Sequence, residues 1–184
     1  MFVVVGPRHR IVAEVARGLQ RSWGVGENAK VFHVVLVEPE IPPNAGNVMR
    51  MCANTGSQLH LVAPLGFEVD DARMRRAGLD YRDMTTLTVH DDWSALVATV
   101  GERRLFAFTA AAHRWHTDSD YQPGDVLVFG RESTGLSEEV LSQFPADRQL
   151  RIPMVPVSRS LNLSNSAAIA VYDGWRRAGF PGAE

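Results

Sequence analysis

The sequence predicts an α/β fold built on a largely parallel sheet with helices on both faces. From Val31 onward, short β-rich apolar runs alternate with stretches of helical period. Runs such as VVLV at 34–37 and VLVF at 126–129 lack polar alternation, as expected of strands buried on both faces of a parallel sheet. Glycine- and proline-bearing loops follow several of these runs, at the carboxyl edge where open α/β sheets place ligands.

Taken in order, the predicted strands are Val31–Val37, Gln58–Val62, Leu87–His90, Arg104–Thr109, Val126–Phe129 and Gln149–Ile152. Helices fit between them. Asn44 is the expected N-cap of a helix over Val48–Ala53, with Gly56 beyond its end. Asp70 precedes Ala72–Ala77, Asp91 precedes Trp93–Val100, and Ser137 precedes Glu138–Phe144. The last helix begins near Asn162 or Leu163 and runs to about Ala178, with Arg176 and Arg177 where cations complement the helix dipole. No repeat or low-complexity tract interrupts this pattern.

At 184 residues, 45% apolar and 22% charged, the chain suits one domain with a full hydrophobic core. It lacks a membrane-length apolar run and the features of a signal peptide, so a cytoplasmic protein is expected. The single cysteine, Cys52, cannot form an internal disulfide and reads as a buried thiol. A net charge of −2 excludes a simple basic coat for nucleic acid, so any RNA-binding surface must be local. Residues 1–30 stand apart: Arg8, Arg10, Arg17, Arg21 and Lys30 outnumber Glu14 and Glu27. This extension fits a basic arm, a loosely attached segment or an upstream assignment of the start equally well, while residues 31–184 form the expected domain.

Three segments carry the chemistry. EPEIPPNAGNVMR follows the first strand: Pro42 and Pro43 stiffen the loop, Gly46 permits close approach, and Arg50 follows about two turns after Asn44. LVFGRESTGLSEEV leaves a strand through Gly130 and could present backbone groups to a ligand. It has neither the Walker A nor the nucleophile-elbow spacing. RIPMVPVSRSLNLSNSAAIAVY ends in a helix entrance rich in Ser160, Asn162, Ser164 and Asn165, which suit either capping or a polar ligand.

These strings, together with RMRRAGLDY at 73–81, resemble the motifs of the knotted SPOUT RNA methyltransferases over essentially all of Val31–Gly182. More narrowly, they resemble the branch that methylates the wobble ribose of tRNA. The resemblance implies a C-terminal deep trefoil knot, an exception to the rule that chains do not thread, and S-adenosylmethionine held in the knot. By matching positions it implies Phe108, Gly130, Ile152 and Ser160 as cofactor contacts. It also implies a homodimer with Ala167, Ala168, Ala170 and Tyr172 at the interface, and the tRNA anticodon stem-loop as partner.

The same resemblance places Arg50 at the reacting centre, with Asn44, Glu132 and Asn162 as its polar surroundings. A guanidinium ordinarily stays protonated, so Arg50 is expected to position the RNA phosphate and stabilise developing charge; a role as base would need a strongly perturbed group. His60 and His90 lie in strands, where core or surface roles are expected. Arg73, Arg75, Arg76 and Arg82, with Tyr81 able to stack on an unpaired base, form the expected RNA surface; charge alone fits a solvated helix face equally. HRWHTDSD at 113–120 reads as a surface loop with no metal. The competing readings are an enzyme for another RNA, such as ribosomal RNA, and a non-catalytic RNA-binding relative. A nucleotide-binding dehydrogenase is disfavoured by the missing glycine fingerprint.

Overall fold

A computed structural model describes residues 31–68, 87–156 and 160–183. The expected N-terminal extension, the helix after Asp70 and the surface carried by Arg73, Arg75, Arg76, Tyr81 and Arg82 lie outside the described residues. The strands are β1 (His33–Val37), β2 (Gln58–Val62), β3 (Leu87–His90), β4 (Leu105–Phe108), β5 (Arg114–Trp115), β6 (Val126–Phe129) and β7 (Gln149–Arg151). They form one sheet in the order β3-β2-β1-β6-β4-β7-β5, parallel at every pairing. The chain moves outward from β1 to β3, then returns on the other side of β1. The loops after β1 and β6 therefore leave neighbouring strand ends, the crevice at which doubly wound sheets bind ligands.

Among the described residues four α-helices cover the sheet: α1 (Pro42–Thr55), α2 (Trp93–Val100), α3 (Glu138–Leu141) and α4 (Leu163–Arg177). Alternate residues of each central strand face different layers. Phe32, Val34, Leu36, Leu59 and Leu61 pack with Val48, Met49 and Cys52 of α1 and Ala167, Ala170 and Val171 of α4. Val35, Val37, Val62 and Val128 face Leu96 and Val100 of α2 and Val140 of α3. Burial on both faces accounts for the unalternating VVLV and VLVF. Cys52 is fully buried in the first layer, and burial pushes its thiol pKa well up, which makes it unreactive.

Several boundaries differ from the sequence reading. Asn44 does not cap α1: the N-cap is Ile41, because Pro42 and Pro43 occupy the first two helical positions, where a missing N–H costs nothing. Asp92, not Asp91, caps α2, accepting from the Ala95 N–H at 2.8 Å. Ser137 does cap α3, but the α-helix ends at Leu141. Gln143 and Phe144 donate instead to Val140 and Leu141, three residues back, and the tightened turn carries Phe144 into the core before Pro145. Asn162 caps α4 as expected.

HRWHTDSD is not the simple surface loop expected. It supplies the edge strand β5 and a short 3₁₀ turn, His116–Asp118, with His116 and Ser119 buried. A two-residue strand is too short to show periodicity. Among the described residues no His, Cys, Asp and Glu side chains form a group of three or more able to hold a metal, and no helix is long and apolar enough to cross a membrane.

Three histidines form a diagonal ladder on the α2 side of the sheet. His33 Nδ1 lies 3.0 Å from His60 Nε2, and His60 Nδ1 lies 2.9 Å from His90 Nε2. The rings of His60 and His90 stack at 5.2 Å. A neutral imidazole offers one donor and one acceptor, so His60 satisfies both nitrogens only while uncharged or by donating twice. Burial, together with the adjoining His33 and His90, pushes its pKa down to about 3; burial also lowers that of His90, against the raising influence of Asp91. Of the core or surface roles expected for His60 and His90, the fold displays the core one.

Candidate active site

The segment after β1 begins with Glu38, whose φ of 51° lies in the left-handed region that a non-glycine residue rarely adopts. This turn brings Glu38 into an ion pair with Arg131 of the segment after β6. The chain then enters α1 with its first N–H groups lacking a local side-chain cap. Asn44 and Ala45 N–H donate to the Ile41 carbonyl, and Glu132 of the other loop binds the two residues that precede the helix. Its carboxylate accepts from Glu40 N–H at 2.8 Å, Ile41 N–H at 3.3 Å and Asn44 Nδ2 at 3.0 Å. A negative group there also meets the positive end of the helix dipole.

Asn44, third residue of α1 and only 5% exposed, connects this carboxylate to the third segment. Its Oδ1 accepts from Asn162 Nδ2 at 2.9 Å, while Asn162 Oδ1 accepts from Ser164 N–H at 2.9 Å and Asn165 N–H at 3.3 Å. Asn162 thus caps α4 and grips Asn44 with the other half of its amide, so the capping and ligand-lining alternatives for this cluster are not exclusive. Arg50 stands exposed on α1, less than two turns beyond Asn44.

Gly130 is demanded by packing. A Cβ there would lie 2.1 Å from the Gly135 carbonyl carbon and 2.2 Å from the Leu136 nitrogen, because Arg131 and Gly135 exchange backbone hydrogen bonds at 3.1 and 2.9 Å across a tight loop. Gly135 closes it at φ 75°.

Three of the four residues expected to hold a cofactor converge on neighbouring strand ends. Phe108 ends β4, paired in register with Phe129, and Gly130 follows Phe129 directly. Phe108 is also paired with Leu150, and Ile152 follows β7 directly, two residues beyond Leu150. The Phe108 and Phe129 rings stack at 4.7 Å, with Tyr121 edge-on to Phe108 at 6.1 Å. Buried aromatic groups and the side-chain-free backbone of Gly130 form one wall at these strand ends, with Ile152 partly exposed beside it. Ser160 is exposed and follows residues 157–159, which lie outside the described residues.

Behind this wall, Tyr121 fastens α4. Its hydroxyl donates to the Ala170 carbonyl at 2.9 Å, lies 3.2 Å from Asp173 Oδ2, and its ring lies under the Arg177 guanidinium at 4.3 Å. Gly174 leaves room for that contact: a Cβ would meet Phe32 Cζ and Tyr121 Cε2 at 2.6 Å. Of the alanines expected at a dimer interface, Ala167 and Ala170 are fully buried in the protomer's own core and Ala168 packs partly against it, whereas Tyr172 and Ile169 are exposed.

Sequence reasoning missed Glu38, Glu40, Arg131 and Ser133. The signal was present as two acidic residues in EPE facing a charged and hydroxylated GRES, but their pairing depends on β1 and β6 being neighbours.

Fold and site together define an α/β protein in which three loop segments are joined by hydrogen bonds at the carboxyl edge of a parallel sheet. Residues 31–172 match the SpoU rRNA Methylase family. The tRNA (cytidine(34)-2'-O)-methyltransferase of Burkholderia ambifaria is 53% identical over 154 residues, covering 83% of this chain and 99% of that protein. That of Escherichia coli K12 is 50% identical over 153 residues, covering 83% and 98%. A solved structure described as giving insights into 2-OH methylation of C/U34 on tRNA superimposes with a TM-score of 0.75 at 42% identity, covering 82% of this chain and 98% of that one. The SpoU methyltransferase AviRb of Streptomyces viridochromogenes, solved with the cofactor AdoMet, shares the fold at a TM-score of 0.70 and 20% identity, covering 83% of this chain and 59% of that one. The chain belongs to the SpoU methylase family.

Proposed function

We propose that this protein transfers the methyl group of S-adenosylmethionine to the ribose 2′-hydroxyl of the wobble nucleotide of tRNA, cytidine or modified uridine. The observation that carries the reading is the hydrogen-bonded chain Glu132–Asn44–Asn162, which joins all three segments at one strand edge beside the exposed Arg50. Half-identity to tRNA (cytidine(34)-2'-O)-methyltransferases over nearly their whole length supports the substrate.

S-adenosylmethionine, when bound, supplies an activated methyl group on a sulfonium. Phe108, Gly130, Ile152 and Ser160 are the residues proposed to hold it: Phe108 and Ile152 offer apolar faces, and Gly130 brings backbone close without a side chain. In this reading the segment running from β7 to α4 is the knotted part of the chain. The protein's contribution is chiefly placement, since holding the hydroxyl oxygen in line with the methyl group contributes up to roughly 7–11 kcal/mol. Asn44, Glu132 and Asn162 fix the geometry, and Arg50 binds the adjoining phosphate and stabilises charge as the hydroxyl oxygen takes the methyl group and its proton passes to solvent water.

Arg73, Arg75, Arg76 and Arg82 would grip the anticodon stem-loop, with Tyr81 stacking on an unpaired base. A homodimer in the cytoplasm completes the proposal. The exposed Ile169 and Tyr172 of α4 are the surface that supports it, and sedimentation equilibrium tests it.

The activity is tested by incubating the purified protein with methyl-labelled S-adenosylmethionine and unmodified tRNA, then mapping the product. Label confined to the 2′-oxygen of nucleotide 34 is expected. Transfer to ribosomal RNA alone, or no transfer, would refute the assignment.

A further inference from the structure

Glu40 stands outside the set Arg50, Asn44, Glu132 and Asn162, yet it shares their network. Glu132 accepts from the Glu40 N–H at 2.8 Å. In return the Glu40 carboxylate accepts from the Ser133 N–H at 3.0 Å and the Ser133 hydroxyl at 2.9 Å. This is the reciprocity of a helix capping box, spread over two loops more than ninety positions apart. Each loop's carboxylate satisfies the other loop's backbone, and the Glu38–Arg131 ion pair provides a third crossing.

The backbone of Glu40 is held from its other side as well. Gly66 donates to the Pro39 carbonyl at 2.9 Å and packs so closely that a Cβ there would lie 2.8 Å from Glu40 Cα. Glu40 therefore cannot shift away from Ser133 without moving the loop after β2. Each of the two carboxylates is held by charge-assisted hydrogen bonds, the stronger class. An ordinary loop contact needs only one of them. The second carboxylate fixes the residue next to Glu132, and with it the direction in which Glu132 meets Asn44.

We propose that Glu40, acting with Ser133, is a positioning residue for methyl transfer: through Glu132 and Asn44 it sets the place of Asn162 and the third segment relative to Arg50. The inference rests on the methyl-transfer reading above. Displacing reacting groups by a fraction of an ångström to an ångström lowers turnover steeply without abolishing binding.

The test uses Glu40→Gln, Ser133→Ala and Ser133→Thr in the full chain. Glu40→Gln and Ser133→Ala should lower kcat roughly 10- to 100-fold while KM for tRNA changes less than about threefold. Ser133→Thr, which keeps both the hydroxyl and the N–H, should restore most of the turnover. Values of kcat within about twofold of the unaltered protein for Glu40→Gln and Ser133→Ala, or Ser133→Thr as slow as Ser133→Ala, would overturn the proposal.

A second measurement does not depend on activity. In the ligand-free protein, the side-chain amide resonances of Asn44 and Asn162 should move in Glu40→Gln, although neither residue touches Glu40's carboxylate. Unmoved resonances would refute the coupling even if turnover fell. Moved resonances in a protein that transfers no methyl group would sustain the coupling and refute the assigned activity.

Discussion

Asn162 donates its side-chain amide to the side-chain oxygen of Asn44 at 2.9 Å, across 118 positions of sequence. This bond joins the entrance of α4 to the first turn of α1, and both halves of each amide are engaged. Replacing Asn44 with Ala removes one partner each from the half-buried Glu132 carboxylate and the exposed Asn162 amide. A loss of about 0.5–1.5 kcal/mol is expected in urea unfolding, with methyl transfer falling more steeply than stability explains. An Asn44→Ala protein unchanged in both would show that the bond carries neither.

Arg50 is exposed, so its replacement should leave folding intact. Arg50→Lys keeps the positive charge but loses the planar fork that binds phosphate bidentately. Turnover at saturating tRNA should fall at least about tenfold while the unfolding midpoint stays put. Full turnover would remove Arg50 from both the positioning and the base role.

The histidine ladder sets a pH dependence. His60 has a folded pKa of about 3 against roughly 6.5 in an unfolded chain, so below 6.5 the unfolded state binds a proton that the folded state refuses. Its contribution is complete above about pH 6.5 and is lost as pH falls toward 3, by up to about 1.4 kcal/mol per pH unit for that proton. Urea midpoints between pH 7 and 5 should fall accordingly. His60→Gln, which keeps a donor and an acceptor without a titrating proton, should flatten the dependence; an equally steep profile in the variant would exonerate the ladder.

Gly174 faces two aromatic rings at distances no Cβ tolerates. Gly174→Ala should push α4 outward at a cost of about 1–3 kcal/mol, read as a drop of roughly 2–4 °C in melting temperature per kcal/mol. An unchanged melt would mean that Phe32 and Tyr121 can yield, and that the packing is looser than its geometry.

Neutralising Arg75 and Arg76 together should weaken tRNA binding and flatten its salt dependence, the logarithmic slope falling by about one for each phosphate that is no longer neutralised. Cofactor affinity should not change. Unaltered binding would move the RNA surface elsewhere on the molecule.

The sheet was legible because its central strands are apolar on both faces, and β2, β3 and β6 begin and end where hydropathy places them. Helix starts were legible where a single small polar residue does the capping, as at Ser137 and Asn162. Asn44 misled because it has the right chemistry for a cap but lies beyond two prolines, which claim the first helical positions and leave Ile41 as the N-cap. Of the site, Asn44, Glu132 and Asn162 were legible only through resemblance, and the bonding among them requires the β1–β6 adjacency that local pattern does not contain. Glu40 and Ser133 were invisible for the same reason. The edge strand β5 was missed because two residues carry no period.

Because β1 lies between β2 and β6, the centre of the sheet cannot close until β6 has been synthesised, and α1 lacks its second covering helix until α4 follows. At the usual ~5–20 residues per second, the 118 positions from Asn44 to Asn162 occupy about 6 to 24 s on the ribosome. During that interval Phe32, Val34, Val48 and Met49 lack the cover that the finished fold provides. The nascent chain is therefore most prone to association before Leu163–Arg177 emerges, and a product of translation that stops short of Asn162 cannot possess the completed network.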